Sequence, residues 1–247
     1  MNGAVHLRSQ AVDSVDSASR AAAADIAAGL AGLTERVRPV ALAEQQVLPV
    51  RSALEPLVPW AGLRRGAVVG VAGPAATSLA LALVAGPSRA GSWTVAVGFP
   101  SLGLTAADEL GVDLSRFAVV DRPEPGTWGQ VLAALVGAVD VVLVRPDRGL
   151  RHSDARRLAA RARERGSILV SVGDRWPEGP DLVLSTASVT WTGLGQGHGH
   201  LRGRKVRVEA TGRRSAARRR EVELWLLDPD GRFAVVEHEA AVVPLAR

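Results

Sequence analysis

The chain has no cysteine among its 247 residues, which removes a disulfide framework, thiolate catalysis and a zinc ribbon. Its five histidines are too scattered to replace those ligands, so neither a metal nor any other cofactor is expected. Lysine is almost as scarce: of 30 basic residues only Lys205 is lysine, and the rest are arginine. The imbalance bears on phosphate chemistry, because a phosphate-binding loop uses a lysine to reach the terminal phosphates. Met1–Gln10 lacks an apolar stretch behind a basic start, so no secretory signal is expected and the protein reads as cytoplasmic. The charge-free stretch Ala67–Ser88 is long enough for a bilayer, yet Gly70, Gly73, Pro74 and many alanines leave it weakly hydrophobic. A buried strand, turn and helix is expected there instead. With 47% hydrophobic and 22% charged residues, the chain has material for a full core at the upper end of a single domain.

The pattern of apolar residues sets out the elements. Between Ala18 and Arg38, Ile26, Leu30, Leu33 and Val37 recur at helical spacing, with Asp16 or Ser17 as N-cap. This amphipathic helix either packs on its own domain or docks a partner, and a linker through Pro39 and Pro49 is expected after it. The division is therefore residues 1–48, helix and linker, and 49–247, the core with its β extension. Within the core, buried runs at Ala67–Ala72, Trp93–Val97, Phe117–Val120, Val139–Val144 and Ile168–Val172 alternate with helices at Thr77–Ala85, Thr105–Leu110, Trp128–Val136 and Asp154–Arg165, the last capped by Ser153 and ended by Gly166. This is the pattern of an α/β doubly wound, mainly parallel sheet. The last third switches to strands at Leu182–Leu184, Ser188–Thr192, Lys205–Ala210, Glu221–Leu227 and Phe233–Val236, an antiparallel extension. There Val222, Leu224 and Leu226 are expected to face the core and Glu221, Glu223 and Trp225 to face out, before a turn at Asp228-Pro229-Asp230-Gly231.

One turn stands where a phosphate loop would: Gly73-Pro74-Ala75-Ala76-Thr77-Ser78, between a strand and a helix. It is too short to wrap phosphates, and Ala76 stands about where the lysine would be. The strand Val141–Val144 ends in Arg145, not in the carboxylate a magnesium site takes from a strand's carboxyl end, and Asp140 lies at the opposite end. Val95–Val97 runs into Gly98-Phe99-Pro100 without an acid to orient water. Three requirements of ATP hydrolysis are thus missing, and a tight structural turn without catalytic residues is expected. His152-Ser153-Asp154 holds the letters of a hydrolase triad, but adjacent residues cannot adopt its geometry, and a helix start explains them. Gly193–His200 reads as a flexible hairpin connection in which His198 and His200 form at best a weak metal pair.

Leu201–Arg220 is the basic extreme. Arg202, Arg204, Lys205, Arg207, Arg213, Arg214, Arg218, Arg219 and Arg220 stand against a single Glu209, so the segment carries +8 and the rest of a +5 chain carries −3. It reads either as a nucleic-acid or acidic-partner surface, with Trp191 available for stacking, or as a solvated hairpin.

From about Pro49 to Gly231 the order of elements resembles the RecA family. The matching strings are Gly73-Pro74 before Thr77-Ser78-Leu79-Ala80, Glu109-Leu110-Gly111-Val112-Asp113-Leu114, and Gly137-Ala138-Val139-Asp140-Val141-Val142-Leu143-Val144 at the family's Walker B strand. The chain departs from that family at the loop lysine, the strand-end aspartate and the activating glutamate, and it has little room for two DNA-binding loops. A trimmed, lysine-free core rich in Ala and Arg resembles the ImuA group, particularly its shorter actinobacterial-type members. That resemblance implies a non-catalytic accessory protein of damage-induced mutagenesis that acts with ImuB and an error-prone polymerase in translesion synthesis. Docking is then expected through the Ile26, Leu30, Leu33, Val37 stripe or the strands from Glu221 to Val243. The alternatives are a divergent RecA-like ATPase and a DNA-binding regulator of RecA filaments.

Overall fold

The computed structural model describes residues 47–124, 126–146, 150–173, 176–195, 198–213 and 216–236. The stripe Ile26, Leu30, Leu33 and Val37, the linker at Pro39, Arg214, and the docking strand beyond residue 236 lie outside the described residues.

Short runs of β-branched residues, too apolar to leave either face in water, become the strands of one sheet. In chain order the elements are β1 (Val47–Pro49), β2 (Gly62–Arg64), β3 (Val68–Ala72), α1 (Ala76–Arg89), β4 (Thr94–Val97), α2 (Leu104–Glu109), β5 (Phe117–Val120) and α3 (Trp128–Leu135). They continue with β6 (Val141–Val144), α4 (His152–Arg165), β7 (Ile168–Val172), β8 (Leu182–Leu194), β9 (Gly199–Gly212), β10 (Arg220–Leu227) and β11 (Ala234–Val235). Nine strands form a sheet in the order β11-β10-β9-β8-β3-β7-β6-β4-β5. The six from β8 to β5 are parallel, and β9, β10 and β11 are added antiparallel. The expected doubly wound sheet with an antiparallel extension is the observed one.

Side chains alternate between two cores, as the period of a strand requires. Val69, Val71, Leu143 and Val170 pack with α1, and the same core runs on under the extension through Val206, Val208, Leu224 and Leu226. Val95, Val97, Val142 and Leu169 pack on the other face with residues of α3 and α4, including Leu132, Ala155 and Leu158. Burying a branched aliphatic side chain contributes about 1.5–3 kcal/mol, so these two layers dominate the stabilisation.

Four local expectations change. Pro49, expected in a linker, ends β1, which pairs with β2 and buries Leu48; an edge strand tolerates proline because the missing N–H is not needed by a second neighbour. This strand spans the join expected between residues 48 and 49. Helix α1 runs past Ala85 through Gly86 and Pro87, because Ser88 holds the last turn: its Oγ donates to the Ala85 carbonyl (3.0 Å) and accepts from the Asp113 N–H (3.0 Å). Gly86 is required there, since a Cβ would lie 2.5 Å from the Pro49 carbonyl oxygen. Ser153 is not a cap: α4 begins at His152 after Arg151 and no side chain caps it. Finally, Leu182–Leu184 and Ser188–Thr192 are one strand, β8, because pairing with β9 continues through an irregularity between Thr186 and Ser188.

That continuity produces an arm. β8 pairs with β3 only over Leu182–Ser185, and β9 pairs with β10 only over Arg204–Ala210. From Thr192 and Gly203 outward the two strands pair only with each other. The arm therefore extends beyond the carboxyl edge of the parallel strands.

Candidate functional site

In open α/β sheets ligands bind at the carboxyl ends of the strands, where helix N-termini and strand-end side chains converge. Here that edge is built by the turn after β3, the residues after β4 and β6, and the root of the arm.

The turn is three residues long, Gly73 to Ala75, before α1 begins. Gly73 has φ +88°, and a Cβ on it would lie 2.4 Å from the Thr186 carbonyl oxygen, so the backbone of β8 sits directly against it. The buried Thr186 hydroxyl donates to the Ala72 carbonyl (3.2 Å) and to that of Pro74. Ala75 follows at φ +66°, a left-handed conformation that costs an alanine about 1–2 kcal/mol. The Ala76 N–H donates to the Gly73 carbonyl (3.3 Å), and the Leu79 N–H makes the first regular helical bond, to Ala75 (3.0 Å).

Arg145 crosses from the end of β6. Its backbone N–H donates to the Val97 carbonyl (3.0 Å), its guanidinium lies 4.8 Å over the ring of the buried Phe99, and it donates to the Thr77 hydroxyl. Gly98, at φ +81°, leaves space for the Trp128 ring, which a Cβ would meet at 2.3 Å. Asp140 lies at the far end of β6, paired with Arg65 (2.8 Å) and accepting the Trp93 N–H (3.1 Å). It ties strands together away from the edge.

The residues described do not fit a magnesium-bound nucleotide. A cation, Arg145, follows β6 where a metal-binding carboxylate would stand, and the glycines Gly73 and Gly98 follow the turn strand and β4. The sole lysine, Lys205, lies on β9 with its ammonium 5.1 Å from the Trp225 ring.

The basic segment is divided by the sheet. Arg207 on β9 pairs with Glu221 (3.2 Å) and Glu223 (3.1 Å) across β10, and Arg219 pairs with Glu209 (2.6 Å). Arg213 packs over the Gly179 backbone, and Arg220 donates to the Arg218 carbonyl (3.0 Å). On the opposite face of β9, Arg204 stands directly across from Trp191 and its guanidinium lies 5.1 Å from that ring. Burial holds Arg204 below the ordinary arginine range. Val222, Leu224 and Leu226 face inward with the outward Glu221 and Glu223 carrying the ion pairs, as alternation predicted. Periodicity gave no warning that these glutamates lie beside Arg207, because the pairing register joins separate parts of the chain.

Of the remaining candidates, His152 begins α4, its Nδ1 3.9 Å from Glu178, which is held more closely by Arg156 (3.0 Å). His198 and His200 lie at the arm's tip, and among the described residues no group of three or more His, Asp or Glu side chains is placed to hold a metal. No described helix is long and apolar enough to cross a membrane, and Ala67–Ser88 is divided between β3, the turn and α1. Thr186 and Phe99 were missed by sequence reading; neither carries a local signal of its role.

Comparison with known proteins agrees with this architecture. The family model described as the MT3502 N-terminal domain matches residues 56–178. Uncharacterized protein Rv3395c of Mycobacterium tuberculosis is 45% identical over 102 residues, covering 40% of this chain and 49% of that protein. The match thus spans about half the length of that relative. Among solved structures, the crystal structure of the RadB recombinase aligns with a TM-score of 0.54 at 15% identity, over 75% of this chain and 97% of the other. The fold is RecA-like.

Proposed function

We propose that this RecA-like protein is a non-catalytic accessory factor of damage-induced mutagenesis, of the ImuA type, that bridges ImuB and an error-prone polymerase in translesion synthesis. The observation that supports the non-catalytic part is the Arg145 to Thr77 hydrogen bond across the phosphate-loop position. A guanidinium at the end of β6 repels a divalent metal, and the short turn uses the Ala76 N–H on its own Gly73 carbonyl. The fold then serves as a rigid support for surfaces instead of turning over nucleotide. The pathway and its partners rest on the resemblance of the sequence to the ImuA group.

The test is recovery of the tagged chain from cells after DNA damage, with nuclease treatment before mass spectrometry. ImuB and the error-prone polymerase are expected to co-purify after nuclease. Recovery of RecA alone, or of partners only through DNA, would replace the adaptor with a filament regulator. Magnesium-dependent ATP binding in a calorimeter would restore the ATPase reading.

A further inference from the structure

We infer that the outer part of the β8–β9 arm is a stacking site for single-stranded DNA, with Trp191 as the platform and Arg202 and Arg204 as the phosphate contacts. The choice of DNA over RNA rests on the function proposed above; the stacking geometry does not.

The site stands apart from the phosphate-loop position and from the ion-paired face of the basic segment. Trp191 is 48% exposed, although it carries a guanidinium against its ring, and Leu194, three residues further along β8, is 64% exposed. An indole left half in water on a projecting strand is unusual for a residue kept only for packing, since large aromatics normally bury most of their area. Arg202 and Arg204 are two residues apart on β9 and so share a face, the face opposite Arg207. Among the described residues no carboxylate pairs with either of them, whereas Arg207 and Arg219 on the segment are each tied to glutamate. Residues 190–195 and 198–204 contain no acid, so the arm is purely cationic and complements a polyanion.

Single strands fit this better than duplex or acidic peptide. A base presents a flat face to an indole only when it is unstacked from its neighbours, and stacking on an aromatic side chain stabilises by about 1–3 kcal/mol per base. An acidic peptide would use the charges and gain nothing from the exposed ring. Arg204 is already stacked and partly desolvated, so less side-chain freedom is lost when it meets a phosphate. From Thr192 and Gly203 outward neither strand pairs with a third, so a flexible strand can reach the outer edges of the arm.

The test uses the full chain and fluorescein-labelled oligo(dT), followed by anisotropy across a salt series. Binding is expected, tighter than to duplex DNA or oligo(U) of equal length. Trp191→Ala is expected to weaken it about tenfold, while Trp191→Phe, which keeps a stacking ring, retains most of it. Replacing Arg202 and Arg204 together with Ala is expected to flatten the slope of log affinity against log salt by about 1.4. Arg219→Ala is expected to leave affinity within about twofold, because that side chain is engaged by Glu209. Absence of binding, duplex bound as tightly as single strand, no effect of Trp191→Ala in a folded protein, or an equal loss with Arg219→Ala would each overturn the site. Tighter oligo(U) binding would overturn the DNA assignment. Because purified protein is used, failure here leaves nuclease-resistant capture of ImuB to decide the adaptor role separately.

Discussion

The guanidinium of Arg145 donates to the hydroxyl of Thr77 while lying 4.8 Å over the Phe99 ring. One side chain thereby joins the ends of β6 and β4 to the start of α1, at the carboxyl edge of the parallel strands. Arg145 is exposed, so its energetic contribution is modest, but its position puts a positive charge at that edge.

The Arg145 and Thr77 side chains are expected to be coupled. In a double-mutant cycle with Arg145→Ala and Thr77→Val, urea denaturation should give a coupling of about 0.5–1 kcal/mol, because solvent at this exposed site weakens a hydrogen bond to a charged group. Additive effects would mean that the bond is not formed in solution. Neither variant is expected to gain magnesium-dependent ATP binding.

Gly73→Ala is expected to destabilise by about 2–4 kcal/mol, because strain at φ +88° is compounded by a Cβ placed 2.4 Å from the Thr186 carbonyl oxygen. Gly91 provides the comparison: its φ is +91° but nothing lies within 4 Å of an added Cβ. Gly91→Ala should cost only about 1 kcal/mol. Equal losses in chemical denaturation would show that Thr186 does not press on the turn.

Gly86→Ala tests the docking of β1 on α1. Helix propensity alone predicts a gain of about 1 kcal/mol for replacing glycine in a helix. The Pro49 carbonyl at 2.5 Å and the Val50 Cα at 2.8 Å from the new Cβ predict the reverse, a net loss. A stabilised variant would mean that the segment carrying Pro49 and Val50 does not pack where the structure has it.

Asp113 has a carboxyl held below the ordinary aspartate range, first by the Ser115 hydroxyl and then by the Ser115 N–H, both donating to it. A depressed folded-state pKa stabilises above the unfolded value and is lost as pH falls through the folded one. The contribution therefore disappears only at acid pH, below the usual carboxylate titration. Ser115→Ala should move the Asp113 titration upward in an NMR experiment, and an unchanged titration would exclude the hydroxyl as the leading cause.

The sheet strands were legible because a buried parallel strand needs an unbroken apolar run, and Val141–Val144 and Ile168–Val172 are such runs. The end of α1 was less so. Gly86 and Pro87 read locally as a stop, yet the helix continues because Ser88 is held by Asp113 from another part of the chain. Serine at 153 reads as a cap by residue type alone, while the actual helix start is set by the path of Arg151. The charge of Leu201–Arg220 was visible at once, but its partition into paired and free arginines was not.

What each strand end carries is written in the order of residues: a glycine after β3, a glycine after β4, an arginine after β6, and a single lysine remote from all of them. That order also determined the faces of β10, because alternation is a property of adjacent residues. Folding is what brings Thr186 to Pro74, 112 residues away, lets β8 outrun β3 to form an arm, and sets Arg207 against glutamates and Arg204 against Trp191. Periodicity is local, but register between distant strands is settled by which pairing buries both cores at once, and no window of adjacent residues contains that information.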